Sequence, residues 1–370
     1  MTMLDSPRRR RSRGAIFILA VALFLGVPLQ DGAAIEGRDY VRVIGAPEVL
    51  PYPAAVANVL AQGARRKFPQ IEQAAENGAL AEFCGKKLDS PDVLIIPVRD
   101  DLPSNTQFCT TRLDLLVLPF GRQVVTLYTA ATATPFALTR DQLYRAIAAQ
   151  LPRRDATGLS PDMFGPNPNM RWRDISPDLP DEPIRLVGPP QRSVFWLIVE
   201  DLLMRPACLE HPKVAELFQL DEALALRPCL SRRSDAAMAY VDGAAYNASP
   251  RITPRGSEIV INDRRAMLLS PEATMLAIND VVPDDEALGS RRYVLSRQIT
   301  AVVRVDRMGS VPNLREFIRE ITSPAAAGPR GYLAVAGLDP LPRHALSESA
   351  LAATLTRPAA PPRDDKPAPR

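Results

Sequence analysis

Two histidines, four cysteines and two tryptophans are all that 370 residues contribute of the side chains that most often build metal centres, thiol chemistry and stacking platforms. His211 and His344 stand apart without ligand-type neighbours, and no two cysteines have Cys-x-x-Cys spacing, so no zinc motif is written into the chain. No nucleophile elbow is present and no Ser/His/Asp or Cys/His set can be assembled, so the chain reads as a non-enzyme. An excess of charge of one sign is missing as well. The formal balance is +3, but residues 1–34 hold five arginines and two aspartates, leaving 40 basic against 40 acidic residues in the remainder. A neutral body offers no electrostatic footprint for nucleic acid. No internal repeat is visible.

Long apolar runs are scarce too. The run at 15–29 has fifteen residues, short of the roughly 20 that a bilayer span needs. It follows an arginine cluster at 8–13 and precedes Gly32, Ala33 and Ala34, the tripartite pattern of an export signal cleaved near Ala34. An uncleaved membrane anchor is the competing reading. Export suits disulfides in Cys84, Cys109, Cys208 and Cys229, whose successive spacings of 25 and 21 residues look like two local loops.

What the chain does have is hydrophobic mass and proline. With 46% hydrophobic residues it can bury a substantial core, and its length favours two lobes. Its 37 prolines, about twice ordinary usage, point to many loops. Five of them lie between Pro358 and Pro369, and the segment 346–370 reads as a disordered tail.

The local pattern alternates strand and helix. Tyr40 to Ile44 reads as a strand ending at Gly45, followed by a helix from about Pro51. Val93 to Ile96 is a continuous apolar strand of the kind buried on both faces. Leu113 to Pro119 and Gln123 to Ala130 are two further strands. Thr139 with Gln142 makes a capping box that opens a helix running to Leu151, and 153–169 reads as a loop. Within Met170 to Leu197 a strand at Ile184 to Val187 meets a sharp Gly-Pro-Pro turn and a helix from Ser193, a layout able to aim a helix N-terminus at an anion. That helix, through Met204, is apolar almost all round. Asp221 to Arg227 predicts a helix, Glu258 to Asn262, Ala273 to Ile278 and Gln298 to Val305 strands, and Leu314 to Ile321 an amphipathic helix. The class is α/β with mainly parallel pairing. Strands near Gln123 and Gln298 can cross between lobes, dividing the chain into 36–122 plus 296–345 and 123–295.

Several segments resemble the periplasmic phosphate-binding proteins of ABC transporters, over roughly residues 38 to 343. They are VRVIGAPEVLPYPAAVANVL, IEQAAENGALAEFC, PDVLIIPVR, WRDISPDLPDEPIRLVGPP, YVLSRQITAVVRV and LREFIREITSPAAAGPRGYLAVAGLDPLP. The resemblance implies a two-lobed, type II periplasmic-binding-protein clamp with mainly parallel sheets flanked by helices. It also implies a small solute such as phosphate or another anion in the interlobe cleft, an inner-membrane ABC permease as partner, no cofactor and a periplasmic location. It suggests the pairs Cys84–Cys109 and Cys208–Cys229.

Its ligand motifs are altered. Where the family has Gly-Ser-Ser-Thr-Val-Tyr-Pro, this chain has Gly45-Ala46-Pro47-Glu48-Val49-Leu50-Pro51. The hydroxyls are gone, Pro47 has no N–H, and Glu48 adds negative charge. The glycine-rich segment is replaced by Ala75-Glu76-Asn77-Gly78-Ala79, Arg99 falls one place late, and Ser-Gly-Thr has become Ser193-Val194-Phe195 with Arg192 beside it. Each charge-assisted hydrogen bond contributes about 1.5–3 kcal/mol, so losing several removes most of a micromolar affinity of about 8 kcal/mol. The implied ligand set is therefore Glu48, Glu76, Asn77, Gly78, Arg99, Arg192 and Ser193, in a site expected to hold phosphate weakly or not at all. Plain structural roles stand beside these: Ser193 as an N-cap, Glu48 and Glu76 as first-turn acids, the arginines as exposed cations, and Trp172 and Trp196 as packing. Three functions follow: a phosphate-type solute receptor, a clamp for a different solute, or a ligand-free envelope sensor or interaction protein.

Overall fold

The computed structural model describes residues 38–62, 67–85, 89–98, 109, 113–153 and 158–357. Residues 1–37, where the sequence predicts an export signal, Arg99 and the residues beyond 357 lie outside the described residues.

Strands β1 (Arg42–Gly45), β2 (Gln70–Gln73), β3 (Val93–Val98), β4 (Leu115–Ala130), β7 (Leu186–Gly188), β8 (Met238–Tyr240), β9 (Ile259–Asp263), β10 (Ala273–Met275) and β11 (Ser296–Arg304) make one sheet; β5 (Gln150–Pro152) and β6 (Phe164–Pro166) form a separate hairpin. The order is β2-β1-β3-β11-β4-β9-β7-β8, with β10 also on β4. β1 pairs in parallel with β2 and β3, and β7 in parallel with β8 and β9. Every antiparallel pairing in this sheet involves β4 or β11. The parallel strands are joined through helices such as Pro51–Ala61 and Glu76–Phe83, the connection that parallel neighbours require.

Two large cores flank this arrangement. One draws its residues from 124–295, the other from 41–120 and 299–353. A smaller cluster lies behind β3 around Phe83 and Cys109. The helix Leu314–Ile321 buries Leu314, Phe317, Ile318 and Ile321 completely, as its i, i+3, i+4, i+7 spacing predicts. The helix Arg140–Ile147 opens on the predicted capping box, with Thr139 and Gln142 each accepting from the other's backbone N–H. Both cysteine pairs, Cys84–Cys109 and Cys208–Cys229, are disulfide-bonded.

Other elements differ from the sequence reading. The two strands predicted at 113–119 and 123–130 are one sixteen-residue strand, because β11, β9 and β10 pair with it in succession. Pro119, which has no N–H to donate, sits at the register shift opposite Ile299 and Thr300, where a bulge tolerates it. The helix predicted to Leu151 stops at Ile147, and Leu151 instead joins the β5–β6 hairpin, which occupies part of the predicted loop. The strand expected at 184–187 is displaced to Leu186–Gly188, where it finds β8 and β9. The largest correction is the tail. Residues 346–355, read as disordered, belong to the helix Arg343–Leu355, which packs against β4 and the helix Leu314–Ile321. Leu346 and Ala353 are buried there, and Arg315 donates to Thr356 O at 3.0 Å. Its leucines divide between the packed side (Leu346) and solvent (Leu351, Leu355), so no apolar period marks the helix in the sequence.

Leu346→Ala is expected to lower unfolding stability by about 2–5 kcal/mol in urea denaturation, the range for emptying a buried leucine site. An unchanged midpoint would return this segment to the status of a dispensable tail.

Candidate functional site

β4 and β11 are the strands that run between the two cores, and Gln123 and Arg297 lie directly opposite each other on them. Directly opposed residues project to the same face, and here they bond: Arg297 Nε donates to Gln123 Oε1 at 2.8 Å. Gln123 Nε2 in turn donates to Tyr52 Oη at 3.0 Å and to Glu48 O at 2.7 Å, in the loop and helix start after β1. Arg297 also faces the Glu48 carboxylate at 3.4 Å through Nη2 and binds the Asp201 carboxylate through Nη1. Asp201 belongs to a π-helical turn, Glu200–Met204, that interrupts the predicted apolar helix. A π turn shifts the side-chain phase of a helix, and this one brings a carboxylate to the buried guanidinium. Arg297 is 3% exposed.

A second ion cluster spans the same boundary. Asp339 receives Arg122 of β4 at 2.9 Å and Arg264 at 3.0 Å, and Arg264 also reaches Asp285 at 2.7 Å. Arg122 and Asp339 exchange backbone hydrogen bonds at 2.8 and 2.9 Å as well.

Beside the Glu48–Gln123 side of the first cluster lies a cavity of about 250 Å³. Its walls come from Glu48, Pro51 and Tyr52, from Gln123 and Val124, from Ser193 to Phe195 with Ile198, from Tyr246, Asn247, Pro250 and Asp263, and from 335–337. Two carboxylates line it, and among the described residues no lysine or arginine does. Burial pushes the Asp263 carboxyl upward, Asp339 adds to the rise, and the Ala266 N–H and Arg265 oppose it. Burial also raises the Tyr52 and Tyr246 hydroxyls, so both stay protonated. The described lining therefore offers hydrogen-bond donors and acceptors, with acidic rather than basic side chains.

Of the residues singled out in the sequence, Glu48 and Ser193 meet in this cavity. Ser193 Oγ accepts from Phe195 N at 3.3 Å, closing a local turn. Glu76, Asn77 and Gly78 form the exposed first turn of the helix Glu76–Phe83 and do not line the cavity, and exposed Arg192 does not either. The helix start after Gly188 is filled from within. Trp196 Nε1 donates to Pro189 O and Pro190 O, both at 3.2 Å, and its ring covers Gly188 so closely that an added Cβ would lie 2.5 Å from it. Arg232 stacks over the same ring at 4.8 Å. The sequence reading missed Arg297, Asp201 and Asp263. Their only signal was polarity inside or beside apolar runs.

Asp263 also caps the helix Arg264–Leu268, accepting from Ala266 N at 2.8 Å, a role asparagine fills equally well. A raised folded value means that the native state keeps a proton the unfolded state has lost, so stability falls as pH rises through that window from the ordinary 3.8. Asp263→Asn is therefore expected to raise the urea midpoint at about pH 7.5 and to give no gain at about pH 3.5. An equal effect at both pH values would contradict the buried-acid assignment.

Among the described residues no helix is long and apolar enough to cross a membrane, and no group of His, Cys, Asp and Glu could hold a metal ion. No protein-family model and no curated protein matches the sequence. Solved structures do match. A possible phosphate binding protein from Planctomyces limnophilus superposes with a TM-score of 0.59 at 15% identity, covering 85% of this chain and 97% of that one. PstS from Borrelia burgdorferi does so with a TM-score of 0.50 at 14% identity, covering 82% and 100%. At these identities the likeness is one of fold: the chain has the fold of the type II periplasmic phosphate-binding proteins.

Proposed function

We propose that this chain is an exported solute-binding protein, not an enzyme, whose cleft has lost phosphate and takes a small neutral or cationic solute instead. One observation carries this reading: a cavity at the boundary of the cores holds Glu48 and Asp263 and, among the described residues, is lined by no lysine or arginine. The nearby guanidinium of Arg297 is already engaged by Glu48 and Asp201. Phosphate recognition relies on charge-assisted donors, and a carboxylate facing an anion repels it. The size of the cavity, about 250 Å³, supports a solute of only a few heavy atoms. The disulfides and the signal-like N-terminus support an oxidising, periplasmic compartment. Delivery of the solute to an inner-membrane ABC permease follows from the fold's use in the proteins it resembles.

A ligand-free interaction role is the second reading. It is favoured by the two ion clusters, which bridge the cores without any solute.

Thermal denaturation with 1 mM inorganic phosphate tests the first part. A micromolar binder would gain about 4 kcal/mol of stability at that concentration; this protein is expected to show no shift. Phosphate stabilisation at micromolar concentration would overturn the proposal. Stabilisation by a small amine or polyol would support the altered-solute clamp, and silence across a panel of neutral and cationic solutes would favour the interaction role.

A further inference from the structure

A second cavity, of about 750 Å³, opens at the surface beside the 124–295 core and shares no lining residue with the cleft. The helix Arg140–Ile147 presents Asp141, Tyr144 and Arg145 to it, positions i, i+3 and i+4 of one face. The β5–β6 hairpin supplies Arg153 and an apolar wall of Leu151 and prolines, and His211 closes it beside the Cys208–Cys229 disulfide.

Two of its buried polar atoms have no hydrogen-bond partner. Tyr144 is 2% exposed, and its hydroxyl has no hydrogen-bond partner. His211 Nδ1 is likewise buried without a partner. Arg153 has no carboxylate partner among the described residues, and its Nε lies where a Cβ on Gly165 would come within 2.8 Å, so the glycine leaves room for the guanidinium. Arg145 reaches Asp141 only at 3.9 Å, and Glu210, which also lines the cavity, is paired with Arg140. Buried donors are normally satisfied, because an unmade hydrogen bond keeps its desolvation cost. A cavity of this size with apolar walls and a few convergent polar groups has the make-up of a small-molecule site.

We propose that this cavity binds a small organic acid, its apolar body against Leu151 and the proline wall and its carboxylate received by the Tyr144 hydroxyl and the guanidinium groups of Arg145 and Arg153. Burial keeps the Tyr144 hydroxyl protonated and therefore a donor. This site is independent of the cleft and stands or falls separately from what the cleft binds.

Isothermal titration of the full exported protein with phenylacetate, and with phenylacetamide as its uncharged counterpart, tests the assignment. Phenylacetate is expected to bind at least tenfold more tightly than the amide, and Tyr144→Phe and Arg153→Gln are each expected to weaken it about tenfold. Tyr144→Phe is expected to melt at the same temperature as the parent or higher, because the hydroxyl it removes has no partner. That stability readout separates loss of a ligand group from loss of structure. No binding of phenylacetate at 5 mM, equal binding of acid and amide, unchanged affinity in both variants, or a lowered melting temperature for Tyr144→Phe would each overturn the proposal.

Discussion

Burying a guanidinium away from water costs several kcal/mol unless its donors are answered, and Arg297, at 3% exposure, is answered from three directions. Gln123 on the neighbouring strand takes Nε, Asp201 takes Nη1 and Glu48 faces Nη2. These partners come from different parts of the chain: a loop after the first strand, the long strand shared by both cores, and a π turn inside the second core. Each answers a different nitrogen of the same side chain. Register between β4 and β11, the π turn at 200–204 and the path of the loop at 46–50 are therefore linked through one charge.

The same constraint shapes the chemistry of the cleft. In a phosphate receptor, cationic and hydroxyl donors wait for an external anion. Here two protein carboxylates already occupy the guanidinium, and the neighbouring cavity is left with Glu48 and buried Asp263. The helix start that such a fold would direct at the ligand is covered by Trp196 over Gly188, with its indole N–H spent on the two proline carbonyls. The helix start after Gly188 thus serves packing, and the guanidinium beside the cavity serves internal ion pairing. The 124–295 core shows the reverse situation, since the cavity around Tyr144 keeps polar groups that the fold itself leaves unanswered.

Much of the architecture was legible because it rests on local signals. The Thr139–Gln142 capping box, the Leu314–Ile321 stripe and the buried Val93–Val98 run each reported their own conformation. What stayed hidden was non-local. β2 has a polar composition, Gln-Ile-Glu-Gln, and is a strand only because β1 pairs with it. Pro119 and Gly121 made a continuous β4 look like two strands. The helix Arg343–Leu355 has too few apolar residues to announce a face. Within the site, Glu48 and Ser193 could be found by their places in a recognised segment, and they share a cavity. The segment at 76–78 matched by position yet lies exposed, because being at a helix start does not fix where that helix points. Arg297 and Asp201 are 96 residues apart; no spacing rule connects them.

Glu48 and Asp201 share Arg297, and a double-mutant cycle in urea denaturation measures that sharing directly. Glu48→Gln leaves Arg297 with Asp201, and Asp201→Asn leaves it with Glu48, whereas the double variant leaves it buried without a carboxylate. The double variant is predicted to lose more stability than the sum of the two single losses, by about 1 kcal/mol or more, within the range seen for residues in one network. Losses that add to within about 0.3–0.5 kcal/mol would contradict a shared guanidinium and, with it, the internally satisfied cleft.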